Sequence, residues 1–406
     1  MPFPRLSTSQ LHNGARIADI PRCFMAENAV LDTGVNPKKL DVLRQRARKE
    51  IEEGLLNAAQ YAIAKDGEVI WQESLGTARD DSLIPVFSST KAVMSAAAWL
   101  VIQDGLLDVN ETVADIIPEF ATNGKESIKV VQLFLHTSGF PMAPFRPVEW
   151  DDRDSRLARF SNWRLNWEPG SKFEYHPTSS MWVIAEIVER KTDTDFRDFI
   201  RTRIVEPLGL QDFYVGLPSH ENDRVLTLEH VGDALTSEDY ARLGVPEPPV
   251  TEVTEDAILS FNQPEIRAVG VPGGGGIMTA AAMTLFYQGL LHGSARDGET
   301  VWTRETLDFA LKVISGDYVD PLMGHRVNRA LGVVVAGNEQ RNFRGFGHSN
   351  SPTAFGHGGA GGQIAWADPE TGLSFCYLTN GHDRNPMRMG SRGVSLSSKA
   401  ASLLER

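Results

Sequence analysis

Cysteine is nearly absent from this chain: Cys23 and Cys376 are the only two in 406 residues. Two cysteines make no disulfide scaffold and have no metal-type spacing, which excludes a small cross-linked fold and a zinc ribbon. Cys376, inside Leu373-Ser374-Phe375-Cys376-Tyr377-Leu378, reads as a small core residue. Positive charge is short as well. Forty Lys and Arg stand against 53 Asp and Glu, a formal net charge of -13, which argues against nucleic acid or an anionic membrane as partner. No apolar run approaches the ~20 residues of a membrane span, and Met1-Pro2-Phe3-Pro4-Arg5-Leu6-Ser7 lacks the apolar core of a signal peptide, so the cytoplasm is the expected location. The histidines show no metal spacing, and the run Gly273-Gly274-Gly275-Gly276 has no following Gly-Lys-Ser/Thr. Neither a metal site nor a phosphate loop is therefore expected. A Gly-x-Ser-x-Gly elbow is also missing, which removes the usual argument for an α/β-hydrolase nucleophile.

What remains is a globular chain, 41% hydrophobic and too long for one ordinary core. Residues 1–36 read as an irregular N-terminal arm, and 37–54 as an amphipathic helix carrying Leu40, Leu43, Ala47 and Ile51 on one face. Segments 59–64 and 68–74 read as strands about the hairpin signal Asp66-Gly67. From 106 to 269 short helical segments alternate with proline-rich and acidic loops, including Pro246-Glu247-Pro248-Pro249, and strand signals are scarce. A helix is expected over 279–291, strands over 330–336, 363–367 and 373–379, and a closing helix over 394–404. The pattern predicts an α+β fold: an antiparallel sheet flanked by helices, made by 37–105 and 270–406, with a mainly helical lobe, 106–269, inserted between them.

Ser88 and Lys91 stand out in Pro85-Val86-Phe87-Ser88-Ser89-Thr90-Lys91-Ala92-Val93-Met94. Helix-favouring sequence runs from Thr90 to Asp104 and stops at Gly105. Residues three apart on a helix share a face, so Lys91 can reach the Ser88 hydroxyl at a helix start whose free N–H groups favour negative charge. A serine needs an adjacent base to act as nucleophile, and a lysine serves only where burial or another cation favours its neutral form. The plainer reading is a serine cap beside a solvated lysine. Against it, no other lysine in the chain has a serine three residues before it, and the helix that follows is apolar on every side.

A proton carrier and an oxyanion pocket would complete such a site. Tyr175, on a loop before a helix expected near Thr178, can reach a serine in the other lobe with its phenol acidified by Lys91; the alternative is a packed loop aromatic with a solvated hydroxyl. Phe355-Gly356-His357-Gly358-Gly359-Ala360-Gly361-Gly362 precedes a strand and lets backbone N–H groups approach a ligand, or else it forms a glycine-rich turn with a solvated histidine. The earlier glycine run, 273–276, reads as a place where two lobes approach closely.

Ser88-x-x-Lys91, Tyr175-x-Pro177 and His357-Gly358-Gly359, in that order, together resemble the serine β-lactamase and penicillin-binding-protein superfamily, and within it the class C-like branch of family VIII carboxylesterases. Segments 133–139, 206–210 and 355–381 are similar to family signatures, and the likeness covers about 37–404. The resemblance implies a site in the cleft between sheet and helical lobe, with Ser88 the acylated nucleophile and Lys91 and Tyr175 an acid and base couple. It implies an oxyanion hole from the N–H groups of Ser88 and Ala360, substrate contacts from His357, Gly358 and Gly359, and no metal or organic cofactor. Two departures bear on substrate. His357 replaces the lysine that faces the carboxylate of β-lactams, and Pro177 replaces an asparagine that contacts their acylamino group. Both point to a small uncharged ester and to weak β-lactam hydrolysis at most. Acyl transfer, a β-lactamase or D-amino-peptidase-like hydrolysis and a non-catalytic scaffold are the alternatives.

Overall fold

The protein is described from a computed structural model covering residues 34–244, 246–247 and 253–404. The arm expected at 1–36 therefore falls almost wholly outside the described residues, as do Cys23, Pro248 and Pro249.

Helix α1 (Pro37–Glu52) starts where the Asn36 side chain accepts from the Lys38 and Lys39 amides, with proline in the first turn. Strands β1 (Ala58–Lys65) and β2 (Glu68–Gly76) form a hairpin. Asp66 and Gly67 both have positive φ, 53° and 79°, as a two-residue turn matched to strand twist requires. After β3 (Ile84–Pro85) comes helix α2 (Thr90–Gln103), then α3 (Ser179–Thr192), β4 (Phe213–Val215), β5 (Glu229–Val231), β6 (Gly276–Met278) and α4 (Ala280–His292). Strands β7 (Val334–Val335), β8 (Phe355–Gly356), β9 (Ile364–Asp368), β10 (Leu373–Thr379) and β11 (Gly381–Asp383) precede the last long helix, α5 (Pro386–Ala401).

Six strands pair in the order β2-β1-β10-β9-β8-β7, each antiparallel to its neighbour. Alternate side chains of a strand face opposite sides, and here both sides are apolar. Ala59, Tyr61, Ile63, Ile364, Trp366, Phe375 and Tyr377 pack with Leu43 of α1 and Leu396 of α5. Their neighbours Ala62, Ala365, Ala367, Cys376 and Leu378 face the layer that holds α2 and α4. The sheet is thus sandwiched between helices, which is the α+β arrangement expected. Helix α2 is buried from Thr90 through Val101 and packs on α3. The Trp99 indole N–H donates to Leu331 O at 3.0 Å, and that of Trp302 to Ala96 O at 3.0 Å.

Three segments differ from expectation. The strand expected over 330–336 contracts to β7, because the chain reverses at Gly332, where φ is +85° and a Cβ would lie 2.0 Å from Ser95 Oγ on α2. The helix expected over 394–404 begins eight residues earlier, with the Asn385 side chain accepting from the Met387 and Arg388 amides. Its first turns are anchored by charge instead of apolar residues, Arg388 pairing with Asp383 at 2.7 Å. Within 106–269, the short strands β4 and β5 pair with β6 and β11 respectively, so this stretch also contributes edges to small sheets.

Candidate active site

Every residue from 82 to 101 is buried except Ser88. The nucleophile candidate sits on a single 3-10 turn, Phe87–Ser89, running into α2. Phe87 holds φ at +46°, a conformation a bulky residue adopts only when its surroundings force it. Two hydroxyls do so. Thr90 Oγ1 donates to Phe87 O at 2.6 Å and accepts from Gly276 N at 2.8 Å, tying the turn to β6. Ser89 Oγ donates to His357 O at 2.8 Å, tying it to the end of β8.

Lys91 is fully buried, and its Nζ lies 3.3 Å from Ser88 Oγ. The same ammonium nitrogen donates to Pro177 O at 2.5 Å and Gly273 O at 2.7 Å. These carbonyls come from the Tyr175 loop and the glycine run, so one lysine gathers three stretches of sequence about the serine. The approach of the two loops is close: a Cβ on Gly273 would lie 3.1 Å from Pro177 O.

Tyr175 is brought to the same place. Lys91 Nζ stands 5.1 Å from its ring centroid, and the His136, Arg329 and His357 side chains lie at 4.7, 5.4 and 6.1 Å. Burial pushes the Tyr175 phenol up, but the Lys91 charge, a hydrogen bond with Ser88 and the Arg329 charge more than offset it, so its pKa falls below the usual 10. Where burial outweighs the neighbours, the phenol is driven the other way: Tyr287 goes strongly upward, and Tyr377, despite the Arg392 charge, up to about 12. The contrast marks Tyr175 as a phenol tuned to ionise.

The third segment forms the turn of the β8–β9 hairpin. His357 N donates to Ala365 O at 3.2 Å and Gly359 N to Gln363 O at 3.0 Å. Gly358 is exposed, Gly359 and Ala360 are half-buried, and the Ala360 N–H has no hydrogen-bond partner among the described residues. Ala360 packs with Phe87, Leu228, Ile258, Leu259 and Phe261 in an apolar cluster beside the serine turn. His357 is buried, its Nδ1 2.8 Å from Gly358 O, and burial holds its imidazole well below the usual 6.5, so it is neutral at pH 7.

Two residues near Tyr175 escape the sequence patterns. His136, at φ +57°, accepts from His176 N at 3.2 Å through Nδ1 and is likewise held neutral by burial first and Arg329 second. Its segment, 133–139, does resemble a family signature. Arg329 precedes the Gly332 reversal and belongs to no motif. Hence one side of the site offers an accessible hydroxyl, a buried amine and a polarised phenol, and the other a free N–H on a glycine-rich turn. That constellation suits attack on an acyl carbon.

Comparison with known proteins agrees. The family model described as Beta-lactamase matches residues 43–394. The esterase/beta-lactamase LipL of Mycobacterium tuberculosis is 24% identical over 321 residues, covering 74% of this chain and 70% of that protein. A penicillin-binding-protein homolog from Caulobacter crescentus superposes with TM-score 0.74 at 27% identity, over 91% of this chain and 99% of its own. A family VIII carboxylesterase superposes with TM-score 0.73 at 24% identity, over 90% and 99%. With motif order, sheet and site in agreement, the chain belongs to the beta-lactamase family of serine hydrolases and penicillin-binding proteins, and its fold is that of the family VIII branch.

Proposed function

We propose that this protein is a carboxylesterase that cleaves short-chain esters of uncharged acids through an acyl-enzyme on Ser88, in a cleft between the α/β part and the helical insertion. The reading rests on one observation above the others: Lys91, fully buried and fixed by two carbonyls, holds its Nζ 3.3 Å from the only residue of 82–101 that is not buried. Ser88 Oγ attacks the ester carbonyl as its proton passes to Tyr175, the carbon becomes tetrahedral, and its oxyanion lies against the N–H groups of Ser88 and Ala360. Tyr175 returns the proton to the leaving alcohol as the C–O bond breaks. Water then attacks the acyl-enzyme, losing its proton to the same couple, and the acid leaves as Ser88 regains its hydrogen.

Substrate class follows from two features. His357 is neutral where β-lactamases present a lysine, so a substrate carboxylate meets no fixed cation there. Phe87, Leu228, Ile258 and Phe261 give an apolar wall beside the serine, with Phe87 and Phe261 edge to face at 5.5 Å. The names of the M. tuberculosis esterase/beta-lactamase and of the family VIII carboxylesterase support the same class. Parallel hydrolysis of p-nitrophenyl butyrate and a chromogenic cephalosporin, by wild type and Ser88→Ala, tests it. Ester turnover that vanishes in the variant, with little cephalosporin turnover, is the expected result. Dominant cephalosporin turnover would overturn the substrate class.

A further inference from the structure

Arg329 is 8% exposed, and its Nη1 is buried without a hydrogen-bond partner. Its Cζ lies 5.4 Å from the Tyr175 ring centroid and 5.5 Å from that of Phe173. No ion pair within 4.0 Å joins it to a carboxylate among the described residues, Asp320 acting on it only from farther away. An unpaired buried guanidinium is expensive, and the backbone that carries this one is held firmly. Arg329 N donates to Ser315 Oγ at 3.0 Å, its carbonyl accepts from Ile314 N at 2.9 Å, and it bridges to Val334 of β7.

The groups facing Tyr175 come from several elements: Ser88 and Lys91 from the nucleophile turn and α2, His136 from the loop after the short helix Val130–Phe134, His357 from the end of β8, and Arg329. Burial keeps both histidines uncharged at neutral pH. Apart from Lys91, Arg329 is then the cation that acts on the phenol. Its buried Nη1 has no hydrogen-bond partner, and the ring nearest its Cζ is that of Tyr175.

We propose that Arg329 is a positioning residue: its guanidinium, set against the Tyr175 ring, is a second cation beside Lys91 that stabilises the phenolate that accepts the Ser88 proton. The proposal rests on the esterase reading for its consequence in catalysis but not for its electrostatics, and the two are separable by experiment. The absorbance of tyrosinate at 295 nm, recorded against pH for a protein and for its Tyr175→Phe derivative, isolates the ionisation of Tyr175. In the Arg329→Met background the midpoint should rise by about one pH unit, in line with the loss of one nearby opposite charge, and Arg329→Lys should bring most of it back. The ascending limb of kcat/KM for p-nitrophenyl butyrate should move by the same amount, while the high-pH plateau stays within about twofold. An unmoved midpoint, with activity reduced equally at every pH, would show that Arg329 only packs over Phe173 and would overturn the proposal. Should Arg329→Met fail to fold by circular dichroism, Arg329→Gln carries the same titration. Absence of ester turnover in wild type would remove the esterase reading and leave the titration to decide on Arg329.

Discussion

A Cβ on Gly359 would lie 2.2 Å from the Val86 carbonyl oxygen, so the third-motif turn and the nucleophile turn meet backbone to backbone. No flexible side chain can yield there. Gly359→Ala should push the turn away from Ser88 and displace the Ala360 N–H from the oxyanion position proposed for it. Removing one oxyanion donor costs about 100-fold or more in kcat, and a displaced donor should cost at least 10-fold with a smaller change in KM. Steady-state ester kinetics check this, and an unchanged kcat would show that Ala360 takes no part.

On the proposed mechanism Lys91 serves a structural and a chemical role at once. Lys91→Met keeps the bulk but leaves Pro177 O and Gly273 O without their donor. Unpaired buried acceptors cost about 1–3 kcal/mol each, and losing proton transfer costs about 100- to 10,000-fold in rate. Tyr175→Phe should cost a similar factor in rate with less effect on the melting temperature. Because the two act as a couple, the double variant should be hardly slower than either single one. Losses that multiply would mean that they act independently.

Acid should unfold the protein through its buried histidines. His176 Nε2 accepts from Phe140 N at 3.2 Å, its Nδ1 faces Glu174 O at 2.6 Å, and burial pushes its pKa down to about 3. An unfolded histidine takes its proton near pH 6.5, so the unfolded chain binds more protons throughout the window between. The stability held by neutral His176 is complete above about pH 6.5 and is lost progressively as pH falls toward 3, by roughly 1.4 kcal/mol per pH unit. Urea unfolding at pH 7, 6 and 5 for wild type and His176→Asn should show the shallower slope in the variant.

The helical part has its own buried charge centre. Glu186 is fully buried between Arg156 and Arg190, each with Nε 2.8 Å from one carboxylate oxygen. Glu186→Ala should destabilise by about 1–3 kcal/mol, because the Nε of each guanidinium loses its acceptor while Arg156 keeps Glu189 and Arg190 keeps Glu119. A loss below about 1 kcal/mol in urea unfolding would show that solvent or Glu189, 2.6 Å from Arg156, takes over.

The sequence made legible what depends on local pattern. Helix α2 and strand β10 emerge with ends close to those expected, because an uninterrupted apolar run closed by Gly105, or by a turn at 368–372, leaves little choice. Ser88, Lys91, Tyr175 and His357 converge as expected because each carries a short motif. Arg329 does not announce itself: a lone arginine has no spacing, and its meaning, like the part His136 plays within 133–139, lies in which ring the fold sets beside it. The truncated strand near 334 is a tertiary effect too, since Gly332 turns where Ser95 of a distant helix stands in the way. The early start of α5 was hidden because its anchors, Arg388 and Arg392, pair with Asp383 and so break the apolar period.

The central claim is that Ser88 is an activated nucleophile. Incubation with a serine-directed alkyl phosphonate, followed by intact mass and peptide mapping, tests it most directly. The account predicts one adduct per chain, on the peptide containing Ser88, lost in Ser88→Ala and strongly slowed in Lys91→Met. A wild-type protein that stays unmodified, or an adduct that persists in Ser88→Ala, would contradict it.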